Sequence, residues 1–324
     1  MAQETQEYVI GVDLGGTRLR TALANRQGEI VRSNTVPTLA EEGRDAVIGR
    51  IVAQIRAVLE PLPLAVLRGV AIAVPGPVDP RAGYVYRPPN LPGWGDVPLK
   101  QILQFELNTP VHLGNDANLA ALAEHRFGVG RDYAHMVYMT VSTGIGGGII
   151  DDGRLMLGGW GGAGEIGHQT IDLNGPRCSC GNYGCLEAMA SGTAIAREVD
   201  RRLLAGEPSS LRHEVDGKLK PVHAEQVVEA ARAGDKLAGE VLQWAGYNLG
   251  VGIANLMQIL DPQIIIIGGG VSNAWDLLEA ATTRAIRERA MEIYTQHTKI
   301  VRSQLGDEIG ILGAIALALG SVSE

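Results

Sequence analysis

The chain has 324 residues, of which 45% are hydrophobic and 20% charged, and its formal net charge is −8 at pH 7. This length favours two domains, because single hydrophobic cores rarely grow to this size. The acidic balance argues against nucleic acid as a partner, which would require clustered Lys and Arg to neutralise phosphates. The N-terminus lacks the pattern of a secretory signal, and no apolar run reaches the roughly 20 residues of a membrane span, so we expect a cytoplasmic protein with no membrane partner.

Strand and helix patterns alternate along the first part of the chain. Runs of alternating or β-branched residues predict strands, and apolar residues at helical spacing predict helices. In chain order the predicted elements are strands over 8–13, 18–24 and 29–36, a helix over 43–59, a strand over 66–74, a Pro- and Gly-rich loop over 75–98, a strand over 110–113 and a helix over 117–127.

The second part of the chain begins with a pattern like that of the first. The same order of elements (strand, glycine turn, strand, hairpin and strand) recurs roughly 130 residues later. This is a weak repeat of predicted structure and not of amino-acid sequence. The repeat suggests two related lobes with a cleft between them, and the alternation of strands and helices predicts an α/β protein. The elements predicted here are strands over 135–141, 149–150 and 154–157, helices over 187–204, 223–233 and 236–260, a strand over 263–267, a helix over 274–291, a strand near 300 and a helix over 309–319.

Three predicted strands end in glycine turns, at residues 13–17, 142–148 and 268–270. Backbone N–H groups approach a phosphate closely where no Cβ intrudes, and an Asp beside such a turn can hold the hydration shell of Mg²⁺. A single glycine turn is as common in ordinary tight turns as in phosphate-binding sites. Three at strand ends favour nucleotide binding, and the absence of a Gly-Lys-Ser/Thr pattern excludes a P-loop enzyme.

A carboxylate lies where a predicted strand passes into a helix, in Leu113-Gly114-Asn115-Asp116. By local sequence alone, Asp116 or Asn115 would be the helix N-cap. In a phosphoryl-transfer enzyme, Asp116 would instead be a general base that accepts the proton of a sugar hydroxyl as it attacks the γ-phosphate. The rest of the pattern favours the general base.

All three cysteines of the chain lie in one short segment that follows His168. An odd number of cysteines so close together does not make a disulfide framework, and the alternative is three unmetallated thiols in a flexible loop. Three thiolates and one imidazole make a complete tetrahedral set for a structural Zn²⁺, and Gly181 and Gly184 would permit the sharp turns. The predicted ligands are His168, Cys178, Cys180 and Cys185.

Zinc would also organise polar groups around it. One nitrogen of His168 can bind the metal while the other stays free to hydrogen bond. If Glu165, His168 and Glu187 converge, the metal fixes a rigid array of donors and acceptors. Sugar hydroxyls, which both donate and accept, suit such an array.

The segment Glu165-Ile166-Gly167-His168, with the spacing of the cysteines and Glu187, resembles the ROK family (repressors, open-reading-frame proteins and kinases), and within it the bacterial glucokinases. The resemblance covers nearly the whole chain, from Val9 to about Leu319. It implies an α/β, actin-like (ribonuclease H-like) duplicated fold of two lobes, with ATP and sugar in the cleft. We expect residues 1–116 to form the small lobe, completed by the C-terminal helix at 305–324, and residues 117–304 to form the large lobe with the zinc site.

The resemblance also implies a role for each matching residue. Asp116 matches the family's catalytic base, and Arg18 stands where many members have Lys. The positions that match sugar ligands are Gly76, Asn90, Asn115, Asp116, Glu165, His168 and Glu187. The positions that match the nucleotide site are Asp13, Gly15, Gly16, Thr17, Arg18, Thr143, Gly144, Gly146, Gly147, Gly269 and Gly270.

The activity implied by the resemblance is that of an ATP-dependent glucokinase, which transfers the γ-phosphate of Mg²⁺-bound ATP to the 6-hydroxyl of glucose. Kinases of N-acetylmannosamine and N-acetylglucosamine share the zinc and Glu/His pattern, and they remain an alternative. An alternative from another class is a sugar-responsive regulator without catalysis. Few residues precede the first predicted strand, where such regulators carry a DNA-binding helix-turn-helix, and this disfavours the regulator. The family's members are usually dimers or tetramers, so a homodimer or homotetramer is expected.

Overall fold

A computed structural model describes residues 7–63, 66–88, 90–215 and 218–322 of the chain. In these ranges strands alternate with helices. The strands are β1 (Tyr8–Leu14), β2 (Arg18–Asn25), β3 (Ile30–Pro37), β4 (Leu67–Val74), β5 (Val78–Asp79), β6 (Tyr84–Tyr86), β7 (Asp96–Val97), β8 (Val111–Asn115), β9 (Met136–Val141), β10 (Ile145–Asp151), β11 (Arg154–Leu155), β12 (Glu214–Val215), β13 (Lys218–Leu219), β14 (Ile264–Gly268) and β15 (Lys299–Arg302). The helices are α1 (Arg44–Leu59), α2 (Leu99–Leu107), α3 (Asp116–Phe127), α4 (Leu186–Ala190), α5 (Gly192–Leu204), α6 (Ala224–Arg232), α7 (Lys236–Leu260), α8 (Trp275–Arg289), α9 (Glu292–His297) and α10 (Ile309–Val322).

The two larger sheets of the described chain have the same strand order. The first runs β3-β2-β1-β4-β8 and the second β11-β10-β9-β14-β15. In the first sheet β4 lies parallel to β1 and β8 lies parallel to β4. In the second, β14 lies parallel to β9 and β15 parallel to β14. The strand pattern is therefore used twice, which confirms the repeat predicted from the sequence.

Contacts divide the chain into two compact units. The first unit contains the described residues up to Asp132, Gly148–Gly164 and the chain from Gln304 onward. The second contains Tyr133–Gly147 and Glu165–Ser303. Residues 117–132 and 148–164 thus group with the first unit, whereas the expected boundary at residue 116 assigned them to the large lobe. For residues 117–132 the reason is that α3 packs along α10, which itself covers β1 and β4.

The sheet of the first unit is covered on both faces. Side chains of β1 alternate between them, as a strand period of two requires. Ile10 and Val12 belong to the core cluster shared with α1 and α2, whereas Val9 belongs to the cluster shared with α10. Gly11 points towards α10, where an added Cβ would lie 2.8 Å from Ile315 Cγ1. The absence of a side chain at Gly11 therefore lets α10 lie close against the sheet.

The apolar run that the sequence places at 309–319 forms α10. Ile311, Ala314, Ile315 and Ala318 are buried in it. The helix is apolar around most of its circumference because the sheet lies on one side of it and α3 on another. Among the described residues, no helix is both long enough and apolar enough to cross a membrane.

In the second unit, α7 and α8 form the most extensive helix pair. Two glycines of α7 allow the close approach. An added Cβ at Gly246 would lie 2.7 Å from the carbonyl oxygen of Leu278, and one at Gly250 would overlap that of Thr282. The Thr282 hydroxyl donates to the Gly246 carbonyl oxygen at 2.9 Å. Backbone therefore packs directly against backbone along this pair.

The structure differs from the predicted elements at several points, and α9, β12 and β13 are elements that had no prediction. Helix α2 had no prediction, although Leu99, Leu103 and Leu107 recur on one face. The predicted loop over 75–98 contains β5, β6 and β7. The predicted helix over 187–204 is broken into α4 and α5, because the Ser191 side chain caps α5 by accepting the Ala194 N–H. The second glycine turn is shorter than predicted, because β10 begins at Ile145 and includes residues 146–148.

We expect Gly313→Ala to destabilise the protein, because the added Cβ would overlap the carbonyl oxygen of Leu119 in α3. Gly320→Ala on the same helix is the matched control, since nothing lies within 4 Å of its added Cβ. The first substitution should lower the free energy of unfolding by about 1–3 kcal/mol. The second should leave it unchanged or raise it by up to about 1 kcal/mol. Chemical denaturation measures both, and equal stabilities would contradict the packing of α10 on α3.

Candidate phosphate, sugar and metal sites

The first glycine turn joins β1 to β2 and is held by its own backbone and by Thr38. The Gly15 N–H donates to the Arg18 carbonyl oxygen at 2.9 Å, so Gly15 shapes the turn and does not offer its N–H outward. The Thr38 hydroxyl donates to the Gly15 carbonyl oxygen at 2.7 Å, and the Thr38 N–H donates to that of Thr17 at 2.9 Å. Gly16 and Thr17 are the residues of this turn best placed to receive a phosphate.

Asp13 stands at the end of β1 with its side chain 20% exposed. Burial raises the pKa of this carboxyl, and the positive charge of Arg20 acts in the opposite direction. Arg20 Nε lies 3.7 Å from Asp13 Oδ2. The carboxylate also lies against the start of α10, where an added Cβ at Gly310 would be 2.7 Å from Oδ2. A hydrated cation would offset the cost of ionising Asp13, so the residue fits the predicted role beside Mg²⁺.

The loop that carries Asn90 lies against the first glycine turn. An added Cβ at Gly16 would be 2.7 Å from Asn90 Cβ, so only glycine lets the two segments meet. Leu91 and Trp94 anchor this loop in the core, since each is less than 5% exposed. The structure therefore brings Asn90, predicted to bind sugar, next to Gly16, predicted to bind phosphate.

Asn115, and not Asp116, caps helix α3. The Asn115 side-chain oxygen accepts the N–H groups of Ala117 at 3.0 Å and Asn118 at 3.3 Å. Its amide nitrogen donates to the Gly76 carbonyl oxygen at 3.0 Å, which ties two predicted sugar residues together. Asp116 is the exposed first residue of the helix, and its Oδ1 also accepts the Ala117 N–H at 2.8 Å. A helix N-terminus favours a negative charge at this position.

The second glycine turn is fixed by the start of α5. The Gly192 N–H donates to the Ser142 carbonyl oxygen at 2.8 Å. The Thr193 hydroxyl and N–H both donate to the Thr143 carbonyl oxygen, at 2.8 Å and 3.3 Å. With these carbonyls bound to the protein, the N–H groups of Thr143 and Gly144 have no hydrogen-bond partner within the described residues. The turn can offer them to an anion.

The predicted glycines of β10 have a different role from those of the turn. An added Cβ at Gly147 would overlap Ile166 Cδ1, so this residue is glycine because the 3₁₀ segment Ile166–His168 packs on the strand. Gly146 lies in the same strand, half-buried. Their predicted contact with nucleotide has no support from the geometry of the strand alone.

The third glycine turn lies beside the second because β14 pairs with β9, with Gly268 opposite Thr140. An added Cβ at Gly269 would overlap the Val141 carbonyl oxygen. The Ser272 hydroxyl donates to the Gly269 carbonyl oxygen at 2.7 Å, and Gly270 is exposed. The second unit therefore places two of the predicted nucleotide turns at adjacent strand ends.

The His-Cys cluster matches the dimensions of a tetrahedral zinc site. Its four ligand atoms all lie within 4.8 Å of one another. Cys180 Sγ is 3.7 Å from Cys185 Sγ, and Cys178 Sγ is 3.6 Å from His168 Nδ1. Zinc bound at its usual distances sets about 3.8 Å between two sulfurs and about 3.6 Å between sulfur and nitrogen. A disulfide would require about 2.05 Å between two sulfurs, so the spacing fits a metal site and not a disulfide.

The two nitrogens of His168 point to different neighbours. Nδ1 faces the cysteines, whereas Nε2 lies 3.9 Å from Glu165 Oε2. A metal on Nδ1 would hold the ring in place and leave Nε2 beside Glu165 to hydrogen bond. This is the arrangement that the sequence predicted for a sugar-binding histidine.

The cysteines differ in how easily they ionise. Burial raises the pKa of the Cys185 thiol to about 12, and the neighbouring cysteines act in the same direction. A backbone hydrogen bond at Asn182 lowers the pKa of the exposed Cys180. A bound cation is what would stabilise a thiolate at Cys185. The loop reaches this shape through Gly184, whose φ is +65° and whose added Cβ would overlap the Asp172 carbonyl oxygen.

Three hydroxyl residues support the site although no motif in the sequence identified them. Thr38 and Thr193 bind carbonyls of the first and second turns, as described above, and Ser179 donates to Glu187 Oε1 at 3.1 Å. Thr193 follows a Ser-Gly pair, which is a helix-start signal that could have placed it. Thr38 and Ser179 had no such local signal, because each acts on a residue brought close by folding.

The sequence profile of the ROK family matches residues 9–321. The chain belongs to the ROK family. It is 38% identical to a glucokinase of Thermotoga maritima over 95% of this chain and 96% of that protein. It is also 32% identical to a putative xylose repressor of Caldicellulosiruptor, over 97% of this chain and 78% of the repressor.

Solved structures of the ROK family match the fold of this ROK protein. A ROK hexokinase from Thermus thermophilus matches with a TM-score of 0.82 and 35% identity, over 98% of this chain and 99% of that one. A glucokinase from Streptomyces griseus in complex with glucose and AMPPNP matches with a TM-score of 0.76 and 32% identity, over 96% of this chain and 99% of that one. The fold is therefore the actin-like, two-lobed α/β fold of ROK sugar kinases, as the sequence predicted.

Asp13→Asn should raise the midpoint of thermal unfolding of this ROK protein at neutral pH. Because burial raises the pKa of Asp13 in the folded state, stability falls as the pH rises from the ordinary carboxyl pKa through the raised one. This loss of stability persists at pH 7, and the Asn variant avoids it because its side chain does not ionise. The difference between the two proteins should vanish below the ordinary pKa.

Scanning fluorimetry from pH 3 to pH 8 measures this difference. Asp45→Asn is the control, because Asp45 is exposed and its hydrogen bond with Arg44 lowers its pKa instead of raising it. That variant should show no gain at neutral pH. A lower midpoint for Asp13→Asn at pH 7 would mean that the pairing with Arg20 outweighs the cost of burial.

Proposed function

We propose that this ROK protein is an ATP-dependent glucokinase, which transfers the γ-phosphate of ATP to the 6-hydroxyl of glucose with Asp116 as the general base. The observation that carries the proposal is that Asn115 caps α3. Because Asn115 already provides the cap, the carboxylate of Asp116 is not needed to begin the helix. Asp116 is exposed at the start of α3, and a helix N-terminus favours the ionised carboxylate, which is the form that accepts a proton.

Asp116 would act on the acceptor hydroxyl. Phosphoryl transfer requires positioning and charge stabilisation more than covalent chemistry, with one carboxylate to take the proton of the attacking hydroxyl. The carboxylate of Asp116 is held at the first turn of α3, directly after β8. Asn115 would keep one hydrogen of its amide for the sugar, since the other is donated to Gly76.

The glycine turns would bind the phosphates of ATP. The N–H groups of Thr143 and Gly144 point away from the carbonyls that α5 holds, which suits a phosphate. Gly16 and Thr17 would act in the same way in the first unit. Asp13 would hold the waters of the Mg²⁺ that accompanies ATP. The N–H groups and the Mg²⁺ would offset negative charge on the transferring phosphoryl group.

Glu165, His168 and Glu187 would bind the sugar hydroxyls. Two relatives support glucose as the acceptor: the glucokinase of Thermotoga maritima, and the Streptomyces griseus glucokinase whose structure contains glucose and AMPPNP. Kinases of N-acetylated hexosamines are the second candidate, and a putative N-acetylmannosamine kinase from Listeria monocytogenes shares the fold with a TM-score of 0.77. The repressor relative keeps a sugar-responsive regulator as an outcome of the test.

The metal of the His-Cys cluster is proposed to be Zn²⁺. Its donors, one imidazole nitrogen and three sulfurs, are those zinc prefers, and the separations of Cys180 from Cys185 and of Cys178 from His168 fit its bond lengths. With four protein ligands the site is closed, so zinc would supply rigidity and not catalysis. His168 would then present Nε2, beside Glu165, to the sugar.

The test of the proposed function is release of ADP from Mg²⁺-ATP in the presence of glucose, N-acetylglucosamine, N-acetylmannosamine, mannose or fructose. We expect glucose to be the preferred acceptor. Preference for an acetylated sugar would retain the mechanism and reject glucose. Sugar binding by calorimetry without turnover, in protein loaded with zinc, would reject the kinase and favour the regulator.

Asp116→Asn should lower turnover by roughly 10²–10⁴-fold, the usual contribution of a general base, because the amide cannot accept the proton. Glucose affinity should change little, since the substitution keeps the shape of the side chain. Asp45→Asn is the matched control, because Asp45 is also an exposed Asp in the first turn of a helix, α1. Turnover and calorimetric affinity are measured on all three proteins. Unchanged turnover in Asp116→Asn would return this residue to a structural role.

Cys180→Ser should reduce the zinc content from one ion per chain towards zero and weaken glucose binding, because His168 loses its fixed orientation. Ser179→Ala, at the adjacent position, is the control and should keep its zinc. Zinc is measured by elemental analysis and glucose binding by calorimetry. A variant without metal but with normal glucose affinity would separate the zinc site from the sugar site.

A further inference from the structure

Glu187 joins two parts of the second unit, the cysteine loop and the second glycine turn. On one side, its Oε1 accepts the Ser179 hydroxyl at 3.1 Å and lies 3.8 Å from Cys178 Sγ. On the other side, its Oε2 accepts the Ile145 N–H at 3.0 Å. Both carboxylate oxygens are therefore engaged by the protein itself.

The contact with the turn is steric as well as polar. An added Cβ at Gly144 would lie 2.5 Å from Glu187 Oε2. The backbone of Gly144 lies outside the left-handed region, so its conformation does not demand glycine. The carboxylate of Glu187 is what leaves no room for a side chain there.

The turn has three anchors, and Glu187 provides the last of them. The start of α5 holds the carbonyls of Ser142 and Thr143. Glu187 holds the N–H of Ile145, where the turn becomes strand β10. The N–H groups proposed to receive a phosphate, those of Thr143 and Gly144, lie between these anchors. The direction of these N–H groups therefore depends on the bonds from α5 and on the bond from Glu187.

We propose that Glu187 is a positioning residue for the nucleotide-phosphate turn and that it couples this turn to the cysteine loop. The inference rests on the proposed kinase function and adds a second role to a residue assigned only to the sugar. A residue that served the sugar alone would not affect nucleotide binding when no sugar is present. Glu187 should affect it.

The test is calorimetric titration with AMPPNP and Mg²⁺ in the absence of sugar. We expect Glu187→Ala to bind AMPPNP about tenfold more weakly, the effect of losing a charge-assisted hydrogen bond. Glu187→Gln should restore affinity to within about threefold of the original chain, because the amide oxygen still accepts the Ile145 N–H. Glu165→Ala is the matched control: it removes the other proposed sugar carboxylate, which lies beside His168, and should leave AMPPNP affinity in the absence of sugar unchanged.

Hydrogen exchange of the Ile145 amide provides a second measurement that requires no ligand. The amide should exchange faster in Glu187→Ala than in the original chain, and at the original rate in Glu165→Ala. Faster exchange with unchanged AMPPNP affinity would overturn the inference, since Glu187 would then only support the fold. Failure of the original chain to bind AMPPNP would overturn the proposed function and this inference together.

Ser179→Ala tests the connection to the cysteine loop. The substitution removes the hydroxyl that donates to Glu187 Oε1 and leaves all four metal ligands in place. We expect AMPPNP affinity to fall by about threefold, the effect of one ordinary hydrogen bond, with zinc content unchanged. Unchanged affinity would overturn the coupling between the loop and the turn.

Discussion

The hydrogen bonding of the turn carbonyls is the constraint on which the candidate site depends. In each of the three glycine turns a hydroxyl donates to a carbonyl: Thr38 to Gly15, Thr193 to Thr143 and Ser272 to Gly269, at 2.7, 2.8 and 2.7 Å. In a trans peptide the C=O and the following N–H point in opposite directions, so a carbonyl that is bonded to the protein leaves that N–H facing the other way. The same hydrogen bond that pairs the turn carbonyl thus leaves the next N–H free to face an anion.

Small residues are the second constraint, because they set how closely elements approach. Gly11 lets α10 lie on the first sheet, Gly246 and Gly250 let α7 lie on α8, and Gly16 lets the Asn90 loop lie on the first turn. In each case a Cβ would occupy space already filled by a neighbour. Several glycines of this chain therefore serve packing, and Gly147, which the resemblance assigned to the nucleotide site, is one of them.

The metal cluster and the second glycine turn are parts of one network in the second unit. His168 has one nitrogen towards the cysteines and one towards Glu165, and Glu187 has one oxygen towards Ser179 and one towards Ile145. Each of these two side chains has two functional atoms that face different partners. A closed metal site of this kind would contribute by fixing such side chains, since a polar group that is held in place loses less entropy when it binds a ligand.

The sequence by itself determined the strands of the two larger sheets, their duplication, the positions of the three glycine turns and the members of the His-Cys cluster. These features depend on residue type and short-range spacing, such as β-branched runs or three cysteines beside a histidine. It left open whether Asn115 or Asp116 caps α3, and the tertiary structure decided for Asn115 because the Asn115 amide also reaches Gly76. The roles of the Thr38 and Ser179 hydroxyls and the bond from Glu187 to Ile145 were likewise decided only by folding. Most of these contacts join residues far apart in sequence, 42 positions for Ile145 and Glu187, and no local pattern encodes a partner at that distance.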